Sequence, residues 1–170
     1  MAQSLYSTRT VAYQPELFDI HPAARAAHAT WSEAVPSSSH LSGISLLNPE
    51  IAEQVLSRIP LPVAKFSGRP RKYGVLANFP LYQQITEFHP TKIALLVLNR
   101  SSSLPLSVFA NGSRCIEAGG RGDPHKEFAT IYEAHAEEPW RGLPQPLSRA
   151  LLARCLRCSD QRLRIREPQV

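Results

Sequence analysis

No apolar run in this chain exceeds six residues: the longest is Ile93 to Leu98. A membrane-spanning helix needs roughly 20, so an integral helical membrane protein is excluded. Cysteine is scarce too. Three residues, an odd number, do not make a disulfide framework and fit a reducing compartment. Eight Gly and one Met stand against 15 Pro. That much proline leaves long stretches that are neither helix interior nor central strand. The opening stretch, MAQSLYSTRT, lacks the apolar core of a secretory signal. The expectation is therefore a cytoplasmic protein, and 170 residues suffice for one sizeable hydrophobic core.

Charge is plentiful and unevenly placed. Residues 1–60 carry three basic and five acidic side chains, and residues 61–114 carry seven and one. Residues 115–140 carry two and six, and residues 141–170 carry seven and two. Two basic blocks thus flank an acidic one, for a net charge of +5. Clustered arginine in a basic chain is the electrostatic footprint of a nucleic-acid binder.

Read for organisation, residues 1–43 form a flexible N-terminal extension in which Pro36 to His40 is a linker. Residues 44–140 form the folded domain, and 141–170 a basic C-terminal helix and tail. Within the extension, Pro22–Glu33 has the alanines of a short helix. Asn48-Pro49 starts a helix that Pro60 stops, with Ile51, Val55 and Ile59 on one face. Leu61–Phe66 and Lys72–Ala77 read as a hairpin around Ser67–Arg71. Pro80–Phe88 is helical, and Ile93–Leu98 is a buried strand. Asn111-Gly112 signals a second hairpin, joining Leu104–Ala110 to Arg114–Ala118. Pro124–Glu138 is a helix with Phe128, Ile131 and Tyr132 inward and Asp123 as its cap. Ser148 caps a last helix through about Cys158. The fold class is α+β: a small mixed sheet with two hairpins packed against helices.

The order from Ile44 to Leu98 runs "ISLLNPEIAEQVLSRI", "LPVAKF", a turn, "KYGVLANFPLYQQI" and "KIALLVLN". It resembles the N-terminal domain of ParB-like partition proteins, which share a fold with sulfiredoxin. Leu61-Pro62-Val63, Lys72–Ala77 and Ile93–Leu98 match the family's strands. Where that family has a Gly-Glu-Arg-Arg box that binds phosphate or nucleotide, this chain has Asn78-Phe79-Pro80-Leu81. The resemblance therefore implies a degenerate core and no nucleotide cofactor; Asn78 and Tyr82 would line what is left of the ligand pocket. It implies a fold more than an activity. Its setting would be an accessory protein of a plasmid or integrative element.

Four constellations bear on chemistry. Gly68-Arg69-Pro70-Arg71-Lys72 resembles the core of an AT-hook, in which an extended Arg-Pro pair lies along a narrow A·T minor groove; an ordinary charged turn has the same composition. In the C-terminal block, Arg154 and Arg157 sit three apart, opposite Leu147, Leu151, Leu152 and Leu156, and Arg162, Arg164 and Arg166 follow in an alternating tail. Such a segment grips phosphates or lies on an anionic membrane surface. Cys155 and Cys158 make a CxxC without a second ligand pair, so no metal site is assembled. Gln14, Leu17 and Phe18 match the Gln-x-x-Leu-Phe peptide by which bacterial proteins dock on the sliding clamp. No catalytic motif is present.

The expectation is a non-enzymatic, DNA-binding accessory or regulatory protein that uses Arg69, Arg71, Lys72, Arg154, Arg157, Arg162, Arg164 and Arg166. The alternatives are a protein-interaction module docking on an acidic partner in transfer or replication machinery, and a nuclease or nucleotide hydrolase.

Overall fold

The computed structural model describes residues 6–34, 46–66, 72–99, 105–118 and 123–158. It is α+β, as the pattern of elements predicts. Among these residues five strands form one mixed sheet: β1 (Tyr6–Ala12), β2 (Phe18–Ile20), β3 (Leu61–Lys65), β4 (Tyr73–Val75) and β5 (Lys92–Leu98). Their order is β1-β5-β3-β4-β2. β1 runs antiparallel to β5, β5 parallel to β3, β3 antiparallel to β4, and β4 parallel to β2. Among the described residues six α-helices accompany it: α1 (Arg25–Ala34), α2 (Pro49–Leu56), α3 (Phe79–Phe88), α4 (Leu106–Ala118), α5 (Pro124–Glu137) and α6 (Arg149–Leu156).

The helix starts have local causes. Asn48 Oδ1 accepts from Glu50 N at 2.9 Å, and Pro49 takes the first turn. Asp123 Oδ1 accepts from His125 N and Lys126 N, and Ser148 Oγ from Leu151 N. Each side chain satisfies donors that the helix itself leaves orphaned. In β5, Ile93, Leu95 and Val97 are buried and Ala94, Leu96 and Leu98 half-buried. The register puts Leu61 beside Leu95 and Val63 beside both Val97 and Val75. These aliphatics, with Leu56, Phe79 and Ile85, are the centre of the core.

Three expectations are corrected. The first concerns residues 6–34, read as part of a flexible extension. β1 pairs with the outer side of β5 over seven residue pairs, and β2 with that of β4 over three. The segment Tyr6–Ala12 alternates only weakly, but the backbone groups of β5 need a partner and β1 supplies it. The second correction is the Asn111-Gly112 hairpin: the residues from Leu106 to Ala118 are one helix. Ala110, Asn111, Arg114 and Ala118 recur at helical spacing and all are buried. Asn111 Nδ2 donates to Arg141 O at 3.1 Å, so the supposed turn residue is a tertiary anchor. Nothing lies near the position a Gly112 side chain would take, so the glycine needs no turn. The third is the inward face of α2, which is Ala52 and Leu56; Ile51 and Ile59 are 53% and 43% exposed. Glu53 sets that rotation. Its carboxylate accepts from Thr91 N at 2.9 Å, from Lys92 N at 3.3 Å and from the Thr91 hydroxyl, tying α2 to the start of β5.

No helix among the described residues is long and apolar enough to cross a membrane. The linker Pro36–His40, the turn Ser67–Arg71, the loop Gly119–Gly122 and the tail beyond Cys158 lie outside the described residues.

Candidate nucleic-acid interface

β3 and β5 are parallel, so their carboxyl ends lie side by side, and β1 runs back past them. A cleft of about 280 Å³ opens there. Ala64, Lys65 and Phe66 come from the end of β3, Val97, Leu98 and Asn99 from the end of β5, and Arg9 from the middle of β1. Among the described residues the charged lining side chains are Arg9 and Lys65, both exposed, and no carboxylate is among them. Two cations facing one cleft repel each other unless an anion comes between them. Crevices beyond the carboxyl ends of parallel strands are a recurrent place for ligands in open sheets.

The cleft sits at the root of the first hairpin. Phe66 N donates to Lys72 O at 3.3 Å, which closes the stem one residue beyond the β3–β4 ladder. Lys72 is therefore next to the cleft's Phe66. Arg69 and Arg71 fall between these two positions in sequence but lie outside the described residues. Phe66 is held from behind by His21, whose ring stacks on it at 5.5 Å between centroids. The imidazole also packs on the backbone of Gly74, where a Cβ would come within 2.5 Å of it. Glycine is needed there so that His21 can approach β4.

The C-terminal arginines are anchored elsewhere. Ser148 caps α6, which lies against α5; Leu147 before the cap and Leu152 on the helix are buried in the core. Arg149 and Arg154 are exposed on it. Arg157 is not on the helical face that its spacing predicts: it ends the helix in the left-handed region at φ 50°, and it too is exposed. Leu151, assigned to the apolar stripe, is 37% exposed. Arg162, Arg164 and Arg166 lie outside the described residues.

Asn78 and Tyr82 open α3. Asn78 takes a left-handed conformation, φ 56°, and its N–H donates to Glu117 Oε1 at 2.8 Å. A carboxylate from α4 thus already holds the helix mouth, and a phosphate brought there would meet like charge. The Tyr82 hydroxyl is pushed up to a pKa of about 12, chiefly by burial, with smaller contributions from Tyr13 and Asp19. Phe79 and Leu81 occupy the two places after Asn78 and Pro80 in core packing, where the resembling family has its arginine box. Of the clamp-docking peptide, Phe18 is buried in β2, stacked on Tyr73 at 5.4 Å, and Leu17 packs against the core. Only Gln14 is exposed. Docking by that peptide would require pulling β2 out of the sheet.

Two features escaped the sequence reading. By sequence Arg9 falls in the expected extension, and Lys65 is the polar end of a strand. The available signal was the Tyr-x-Thr-x-Thr alternation of 6–10, which suits an edge strand. The other is Arg114, fully buried on α4, whose Nη1 reaches Glu127 Oε2 of α5 at 2.5 Å. Its Nε and Nη2 have no hydrogen-bond partner among the described residues. Burial pushes the Cys115 thiol pKa up, against a smaller lowering by Arg114 and with the least contribution from Cys155. Cys155 and Cys158 are free thiols at the end of α6. Among the described residues no group of three His, Cys, Asp or Glu side chains is placed to hold a metal ion.

No family model matches the chain, and no curated protein matches it. Among solved structures, it is similar to the C-terminally truncated chromosome-partitioning protein ParB from Caulobacter crescentus, complexed with CTP-γ-S. The identity is 11%, over 92% of this chain and 74% of that one, with a TM-score of 0.39.

Proposed function

We propose that this protein is a non-enzymatic DNA-binding accessory or regulatory protein whose contact surface is the basic end of the sheet. The observation that carries the reading is the cleft in which Arg9 and Lys65 converge with no lining carboxylate among the described residues, at the root of the β3–β4 hairpin. A rigid strand frame holds these cations at a low entropic cost, which suits positioning on a phosphate backbone. Arg69 and Arg71, between β3 and β4 in sequence, would reach toward a groove as the Arg-Pro pair of an AT-hook does. Arg154, Arg157, Arg162, Arg164 and Arg166 would add phosphate contacts from the other basic block.

The test is fluorescence anisotropy on mixed-sequence and A·T-rich duplexes at several salt concentrations. Binding should weaken steeply with salt. Arg9→Ala with Lys65→Ala should lower the steepness of log K against log salt by about 2, one phosphate per cation. Arg69→Ala with Arg71→Ala should abolish any A·T preference. Absence of binding at low salt, where attraction is least screened, would overturn the reading. An acidic protein as the partner of the same patch would then be the next candidate.

A further inference from the structure

α2 carries two apolar rows, and the core takes one of them. Ala52 and Leu56 are buried, and Glu53 holds the helix in that rotation through Thr91 and Lys92. Ile51, Val55 and Ile59, four apart, form the second row. The last turn carries it past the end of α2, since Ile59 N donates to Val55 O at 3.2 Å. Ile51 and Ile59 are exposed and Val55 is half-buried. Leu46 and Leu47 add two exposed side chains at the amino end. The helix thus turns its β-branched residues outward and keeps an alanine for the core. A single exposed aliphatic is ordinary, but a row of them on one helix marks an interaction surface.

The polar row beside it selects the partner. Glu50, Gln54 and Arg58, again four apart, lie on the side of the apolar row away from Ala52 and Leu56, and all three are exposed. Among the described residues neither the Glu50 carboxylate nor the Arg58 guanidinium has an ion-pair partner. Two helices that meet antiparallel about a two-fold axis set each flanking row against its own copy in reverse. An acid, an amide and a base in that order then match themselves: Glu50 faces Arg58, Gln54 faces Gln54, and Arg58 faces Glu50. The apolar rows pack as ridges into grooves, with the Leu46–Leu47 end of one helix toward the Ile59 end of the other. A parallel pair would instead turn each polar row toward Ala52 and Leu56, which the core already occupies. We infer that α2 packs antiparallel on α2 of a second copy of this chain, about a two-fold axis beside Gln54. A short helix pair is a small interface, so the dimer is weak, dissociating between about 1 μM and about 1 mM. The inference does not depend on what the sheet end binds.

Sedimentation equilibrium across that concentration range, on nuclease-treated protein, tests it. The mean mass should climb toward twice that of the chain. Glu50→Arg puts like charges at two places on the seam where opposite charges met, and should raise the dissociation constant about tenfold. Arg58→Glu should do the same. The two changes made together restore opposite charges, and should return the constant to within about threefold of the parent. Ile51→Lys should leave a monomer at every concentration. All three positions are exposed, so the core is untouched and circular dichroism should match the parent's. A parent chain that stays monomeric throughout would overturn the inference, and the apolar row would then belong to the chain's own residues or to a different protein. A dimer that ignores the single changes would overturn it as well, because the seam would lie elsewhere. So would a dimer that the paired change fails to restore, because Glu50 and Arg58 would not face each other.

Discussion

The helical layer and the sheet end treat positive charge in opposite ways. On α4, Arg114 is withdrawn from water and matched by Glu127, the contact that binds α4 to the first turn of α5. At the sheet end, Arg9 and Lys65 are left in water beside a cleft with no lining carboxylate among the described residues. A cation sealed in with one counter-ion serves architecture, because exposing either group alone is costly. Cations held apart on strand ends contribute little to stability, where exposed charges rarely matter much. What they retain is attraction for an anion from outside. The same residue type therefore has two uses, and burial separates them.

The largest effect that would test this contrast is on stability. Glu127→Gln leaves the Arg114 guanidinium buried without a counter-charge, and should cost about 3–5 kcal/mol in urea unfolding. Arg114→Met, which removes the charge as well, should cost clearly less, since replacing a buried ion pair by apolar packing is often near neutral. If both variants lost the same amount, the pair would not be the source of the coupling. Arg9→Ala with Lys65→Ala should by contrast stay within about 0.5 kcal/mol of the parent in the same experiment.

A middle-sized effect separates the two basic surfaces. Arg154→Ala with Arg157→Ala removes exposed cations from α6, on the α5 side of the molecule. It should weaken binding about equally on A·T-rich and mixed duplexes, as contacts to phosphate carry no sequence information. A loss confined to one duplex would mean that α6 reads bases, and the division of labour between hairpin and helix would have to be redrawn.

The smallest effect is a pH dependence within the helical layer. His28 of α1 packs edge-on to Phe79 at 5.1 Å and beside Trp31. Burial lowers its pKa below 6.5. Between that lowered value and 6.5 the unfolded chain binds the proton more readily than the folded one, so stability rises with pH across this window and falls on acidification. Thermal unfolding followed from about pH 7.5 to about pH 5.5 should show a decline in Tm that is shallower in His28→Leu. Parallel curves would assign the decline to other histidines.

Much of this architecture is written in short stretches of chain. Asn48-Pro49, Asp123-Pro124 and Ser148 mark helix starts because a cap acts on donors two or three residues away, and they do so in the structure. The strands Leu61–Lys65 and Lys92–Leu98 announce themselves by composition and length. The first hairpin is equally local: its two strands are joined by a short connection and pair as the turn residues suggest. Clustered arginine was legible as charge, though not as a surface.

The rest required contacts between distant residues. Asn111-Gly112 carries a strong local turn signal, yet the bond from Asn111 to Arg141 and the pair Arg114–Glu127 hold that stretch as a helix. Tertiary burial outweighs a turn preference worth far less. The rotation of α2 came from Glu53 reaching residues 38 and 39 positions away, not from its apolar spacing. β1 and β2 are strands because β5 and β4 present unpaired backbone to them, which no window of sequence reveals. The cleft itself is made of Arg9, Lys65 and Asn99, three positions that only the order of strands in the sheet brings together. Propensity and capping act over a turn or two of chain, and so sequence specifies elements. Backbone pairing and close packing act across space, and so the fold alone decides which charges share a site.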